Sequence, residues 1–105
     1  NIMTNAIESV GATRRQARRI TIRTLSLERN GVQLEVADNG LGIAPDKMPF
    51  IFDAFFTTKS TGRGLGLSLC RTIVEEHGGR LWAASGDGSG ATFHVQLPSR
   101  GLSAV

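Results

Sequence analysis

The first dozen positions carry apolar residues at helical spacing. Ile2, Met3, Ala6, Ile7 and Val10 gather on one side at about 100° per residue, while Asn1, Asn5, Glu8 and Ala12 align on the other. Gly11 predicts the helix end, and an arginine-rich loop follows. From Ile20 the period changes to two. Ile20 and Ile22, then Leu25 and Leu27, predict a strand whose phase slips near Thr24, and Asn30-Gly31 is a hairpin turn signal. Val32, Leu34 and Val36 alternate strictly on the return strand, and counting on by two puts Asp38 on their face. A carboxylate aimed at the covered side of a sheet is costly unless it finds a donor. Asp38 could equally end the strand and bond the turn backbone near Gly40. Periodicity leaves these two readings even.

Pro45 and Pro49 bracket a short irregular piece, residues 50–56 are rich in Phe, and residues 57–64 contain little that is apolar and predict a loop. Leu65, Leu69, Thr72, Ile73 and Glu76 return to helical spacing, predicting a helix over 66–77 that Gly78-Gly79 stops. Residues 81–85 and 91–97 predict strands around the GDGSG turn at 86–90. Pro98 closes a single domain over 1–98, and 99–105 is expected to be a loose tail. The order of helix, hairpin, loop, helix and hairpin predicts an α/β fold with helices on one face of a mixed sheet. A chain that opens on an amphipathic helix without a preceding cap predicts a piece of a longer protein, truncated before Asn1.

Composition narrows the function. At 105 residues the chain supports one core, with folding burying about two-thirds of its surface. Its 40% hydrophobic and 20% charged content is that of a globular domain. One Cys excludes a disulfide framework and any multi-cysteine zinc site. No apolar run reaches the roughly 20 residues of a membrane helix, so a cytoplasmic domain without membrane contact is expected. Net charge is +3, and ten of the twelve basic residues are Arg, five of them between Arg14 and Arg23. Such a patch could steer nucleic acid, but no aromatic interleaves with it and Tyr is absent, so a solvated loop is the expectation and nucleic acid is not an expected partner.

Three glycine clusters punctuate the chain: Gly40-Leu41-Gly42, Gly62 to Gly66, and Gly86 to Gly90. The second stands at a predicted helix start, where unpaired N–H groups and the helix dipole favour phosphate. Its spacing matches neither the dinucleotide fingerprint nor the P-loop.

Taken in order, five stretches resemble the boxes of sensor histidine kinases. NIMTNA at 1–6 is similar to the N box, DNGLGI at 38–43 to the first glycine box, and FDAFFTTK at 52–59 to the phenylalanine box. GRGLGL at 62–67 resembles the second glycine box, and GATF at 90–93 with Leu97-Pro98 the closing strand. The resemblance implies the ATP-binding catalytic domain of a two-component kinase, in the superfamily of gyrase, heat-shock chaperones and mismatch-repair ATPases. Its implied fold is a two-layer α/β sandwich with a flexible ATP lid.

The same resemblance implies roles for single residues. Asp38 would accept a hydrogen bond from the adenine amino group, with Gly40 and Gly42 letting the chain turn close to the base. Asn5 would bind Mg²⁺ through its amide oxygen, and Asn1 would contact phosphate or the metal's water shell. Without the other boxes that Asn pair would be an ordinary polar helix face. Lys59 and Arg63, in the implied lid, would neutralise the triphosphate, and Arg63 departs from the Thr or Met frequent in similar kinases. Gly62, Gly64 and Gly66 with the amides of Leu65 and Leu67 would cradle phosphates, and Thr92 would line the pocket or be a surface threonine. Phe52, Phe55 and Phe56 are expected to pack the lid base, and His77, His94, Cys70, Trp82, Met3 and Met48 to be structural.

Superfamily members that hydrolyse ATP carry Glu four residues before the metal-binding Asn. Here that position is Asn1, and an amide cannot take a proton. The resemblance therefore implies a monomeric fragment that binds ATP with Mg²⁺, does not phosphorylate itself, and serves a histidine-bearing dimerisation domain with a response regulator downstream. The alternative is a nucleotide- or partner-binding module of the same fold without transfer activity.

Overall fold

In the computed structural model, which describes residues 1–11, 18–27, 31–56, 66–85 and 90–98, the two hydrophobic periods become two layers. Helix α1 (Ile2–Gly11) is followed by strands β1 (Ile20–Leu27) and β2 (Gly31–Asp38), a single 3₁₀ turn (Met48–Phe50), helix α2 (Gly66–Glu76), and strands β3 (Arg80–Ser85) and β4 (Ala91–Pro98). The strands form one sheet in the order β1-β2-β4-β3. Helix α1 lies on β2 and the flank of β1, and α2 lies on β3.

The α/β sandwich matches the expectation, but the sheet is not mixed among the described strands. All three pairings are antiparallel. Strands β2 and β3 do run parallel across the α2 crossover, yet β4 inserts between them and pairs with both. Its residues Ala91, Phe93 and Val95 are all buried, so the most deeply buried strand holds a central place.

Register sorts the side chains. Val32, Leu34, Val36 and Asp38 on β2 stand opposite Leu97, Val95, Phe93 and Ala91 on β4, and Leu81 and Ala83 of β3 join the same face. That face meets the helices. Ile51, Leu81, Phe93 and Val95 form the buried cluster, with Ile2, Leu67 and Val74 from the helices packed against it. Strand β1 pairs with β2 without interruption from Ile20 to Leu27, so the expected slip at Thr24 is not a backbone irregularity. Thr24 and Ser26 simply fall on the helix side, and Leu25 and Leu27 on the other. Asn30 of the predicted turn lies outside the described residues, though Leu27 and Gly31 close the pair beside it.

The uncovered face carries a polar ladder across all four strands. Arg23 reaches Glu35 at 3.6 Å, Glu35 meets His94 Nδ1 at 3.3 Å, and the His94 ring stacks on Trp82 at 4.9 Å with 6° between planes. Arg80 lies over Trp82 at 5.1 Å. Gln96 donates to Gln33 at 2.8 Å, and Gln33 donates to Glu35 at 2.7 Å. His94 and Trp82 are thus structural, as expected. So is His77, whose Nδ1 donates to the Ile73 carbonyl at 2.8 Å while Gly78, at φ 78°, turns the chain out of α2.

The Phe-rich stretch divides. Phe52 meets Phe93 edge-on at 6.3 Å and Phe56 packs on the core and on Phe50. Phe55 does not pack. It is 74% exposed with φ at 69°, a conformation that bulky residues rarely adopt.

Leu81→Ala removes a side chain that is 3% exposed from the centre of the cluster and should destabilise the fold by about 2–5 kcal/mol. Leu69→Ala, at 53% exposure on α2, should cost under about 1 kcal/mol. Urea unfolding of both variants measures the contrast, and equal losses would contradict this placement of the core.

Candidate functional site

Asp38 ends β2 on the helix-covered face, half-buried, as the alternation of Val32, Leu34 and Val36 requires. Of the two readings left even by the sequence, both hold in part. The Asp38 Oδ1 accepts the Gly40 N–H at 2.9 Å, which is the turn-bonding Asp. It also accepts the hydroxyl of Ser9 on α1 at 3.1 Å, which supplies the donor that an inward carboxylate needs.

The loop after Asp38 lies directly on neighbouring backbone. A Cβ at Gly40 would collide with the Ser9 hydroxyl and the Ser9 carbonyl, so α1 and the loop touch with no side chain between them. Gly42 has φ 78°, and a Cβ there would come within 3.0 Å of the Gly90 carbonyl oxygen. Gly90 has φ 82°, and a Cβ on it would strike the Asp38 carbonyl. Three glycines from two of the sequence clusters therefore hold α1, the end of β2 and the start of β4 together. Asn39 fastens the other side: its Oδ1 accepts the Arg19 amide at 2.7 Å and its own amide donates to the Arg19 carbonyl at 3.1 Å. Ser85 ties the loop to β3 through the Ile43 carbonyl at 3.0 Å.

Asn1 and Asn5 occupy successive turns of one face of α1, Asn1 exposed and Asn5 half-buried. The Asn1 side chain borders the start of α2, since a Cβ on Gly66 would sit 3.2 Å from Asn1 Oδ1. The structure thus brings Asn1 to the first turn of α2, where N–H groups without helical partners attract anions. Leu67 follows Gly66 there, with its side chain packed into the core. Lys59, Gly62, Arg63, Gly64 and Leu65 lie outside the described residues, as do Arg14 and Arg15 of the arginine patch.

Thr92 is not at the site. Its cross-strand partner is Ala37, whereas Asp38 pairs with Ala91, so the one-residue step sends Thr92 to the open face. Its expected lining position is taken by Ala91, buried at 4% exposure. Ser9, by contrast, is a residue the sequence reading missed. The signal was present, since Ser9 continues the four-residue spacing of Asn1 and Asn5 on the same helix face.

No group of three or more His, Cys, Asp or Glu side chains converges among the described residues. The two candidate metal-side residues described, Asn1 and Asn5, offer amide oxygens, a donor type that suits Mg²⁺. A shallow cavity lined by Leu27, Gly31, Gly79, Leu97 and Pro98 opens at the opposite end of the sheet, and no candidate residue borders it. No helix among the described residues is long and apolar enough to cross a membrane.

Gly40→Ala should destabilise the chain by about 1–3 kcal/mol because neither α1 backbone nor loop can yield freely. Gly11→Ala meets nothing within 4 Å and should be neutral or stabilising by up to about 1 kcal/mol. Thermal denaturation of the pair distinguishes a close-packing requirement from a general sensitivity of glycines.

With this geometry in place, comparisons with known proteins are specific. The family described as histidine kinase-, DNA gyrase B-, and HSP90-like ATPase matches residues 1–101. Sensor protein FixL of Bradyrhizobium diazoefficiens is 41% identical over 99 residues, covering 94% of this chain and 19% of that protein. Sensor histidine kinase ZraS of Escherichia coli K12 is 44% identical over 98 residues, covering 93% of this chain and 20% of that protein. The chain thus spans about one-fifth of the length of these curated relatives. Among solved structures, the nucleotide-free catalytic domain of histidine kinase ThkA superposes with a TM-score of 0.78 at 34% identity, covering 93% of this chain and 61% of that one. ThkA in complex with the response regulator TrrA gives 0.75 at 32% identity, covering 98% of this chain and 28% of that one.

Proposed function

Because the chain belongs to the histidine kinase-, DNA gyrase B- and HSP90-like ATPase family, with sensor histidine kinases as its relatives, we propose that it binds ATP with Mg²⁺ and presents the γ-phosphoryl group to a histidine on a separate dimerisation domain of its parent kinase. The observation that carries this reading is the Asp38 carboxylate, turned to the helix-covered face at the end of β2 and braced there beside Gly40. An anionic acceptor bordered by glycine backbone suits an amino group on a flat base. A response regulator acts downstream in this reading, as in the complex formed by the related ThkA.

The residues fit the nucleotide and metal. Bound ATP supplies the phosphoryl group, and Mg²⁺ offsets the charge on its phosphates. Asp38 selects the base. Asn5 contributes an amide oxygen to the metal, and Asn1, beside Gly66, orients phosphate or a metal-bound water at the start of α2. Gly66 and Leu67 offer the first amides of that helix, and Lys59, Arg63, Gly62, Gly64 and Leu65 complete the phosphate end in the sequence. Asn1 cannot act as a base, so no group at this position activates water. Hydrolysis by the chain alone is then slow, and the nucleophile is the imidazole of the partner domain.

Asp38→Asn should weaken ATP binding about 5- to 150-fold, the equivalent of roughly 1–3 kcal/mol, while leaving the fold intact. Isothermal calorimetry measures it, and unchanged affinity in a folded variant would remove the adenine assignment. Asn5→Ala should abolish the enhancement of ATP binding by Mg²⁺ and spare most of the metal-free affinity.

Radiolabelled ATP tests the transfer step. The chain alone should bind ATP without turnover or self-labelling, and a cognate dimerisation domain added in trans should become labelled. Lys59→Ala and Arg63→Ala should lower that labelling more than they lower binding. Rapid turnover would point to an autonomous ATPase, and no labelling of any cognate domain to a binding module without transfer activity.

A further inference from the structure

Ser9 reaches Asp38 across 29 positions of sequence, and the direction of its hydrogen bond follows from its neighbours. Its Oγ is 3.1 Å from Asp38 Oδ1 and 3.1 Å from the Leu41 amide nitrogen. The Leu41 N–H can only donate and an ionised carboxylate can only accept. Leu41 therefore occupies a lone pair of Oγ, and the single hydroxyl proton, carried on Oγ, points to Asp38 Oδ1. The Gly40 N–H makes a second bond to the same oxygen at 2.9 Å. Both bonds fall on Oδ1 among the described residues, which leaves Oδ2 as the acceptor for a donor from outside.

Among the described residues, no other side chain is hydrogen-bonded to Asp38. Its cross-strand partners are Ile20 and Ala91, which carry no hydrogen-bonding side chain. The contact is also sterically locked, because Gly40 lies so close to Ser9 that a single added carbon would collide with it. A carboxylate held by one backbone N–H alone can turn about its Cβ–Cγ bond, whereas two donors from different elements fix its plane.

We propose that Ser9 is a positioning residue for base selection, its hydroxyl holding the Asp38 carboxylate so that Oδ2 meets the exocyclic amino group of adenine. The proposal rests on the reading of Asp38 as the adenine acceptor. It makes base discrimination a joint property of α1 and β2, with the side chain that points the carboxylate sitting on the same helix face as the amides assigned to the phosphate end.

The test compares two ligands that differ by one group: ATP and purine riboside triphosphate, which lacks the 6-amino group. Binding of each to the 105-residue chain is measured by calorimetry with Mg²⁺. Ser9→Ala should weaken ATP about 3- to 10-fold and leave the purine analogue unchanged, so the preference for ATP shrinks by that factor. Ser9→Thr, which restores a hydroxyl, should keep the wild-type preference. A merely structural role would lower both affinities together, and that result would overturn the proposal, as would a preference lost equally in Ser9→Thr. Asp38→Asn separates the two levels. If it leaves the preference intact, the adenine reading itself fails; if it abolishes the preference while Ser9→Ala does not, only the role of Ser9 fails.

Discussion

The Asp38 end of this domain depends on backbone meeting backbone. Gly40 rests on the carbonyl of Ser9, Gly42 approaches Gly90 and Gly90 approaches Asp38, so α1, β2 and β4 converge where any side chain would force them apart. The carboxylate of Asp38 can be both inward and satisfied only because α1 comes this close. A hydrogen bond of 3.1 Å between residues on different elements needs those elements fixed to a few tenths of an ångström. The glycines are thus the condition for the polar geometry.

The two faces of the sheet divide the labour. On the helix side, register collects Val36, Phe93, Val95 and Leu81 into the core and delivers Asp38 at its rim. The opposite side buries little and instead links charged, amide and aromatic groups from Arg23 to Arg80. Such surface pairs contribute little stability individually. Their effect is to satisfy a sheet face that no helix among the described residues covers, and they give His94 and Trp82 partners within the sheet. Antiparallel sheets accommodate this arrangement readily, since one face can remain solvated.

Much of this was legible because period is a local property. Both helices, all four strands and the inward phase of Asp38 follow from spacing, and the order of five short stretches pointed to the family that residues 1–101 match. What escaped was non-local. The insertion of β4 between β2 and β3 depends on competition among whole strands, so the mixed sheet was a reasonable but incorrect inference. Leu25 and Leu27 suggested a slip because apolar residues were assumed to face the helices, whereas at an edge strand they can face solvent. Of the two readings of Thr92, the register agrees with the surface one, because one residue of register in a strand is a change of face. Ser9 was overlooked because a serine on a polar helix face means nothing until the loop 29 positions away is seen to land on it.

Trp82 is the only tryptophan in the chain, and there is no tyrosine. Its ring lies on the sheet face away from Asp38, stacked against His94 and under Arg80. Emission excited beyond the phenylalanine band therefore originates from this one residue, in a setting that exists only when β3 and β4 are paired. It reports assembly of the sheet. The optical handle of this domain senses whether the scaffold is built, and it does so from the sheet face opposite Asp38.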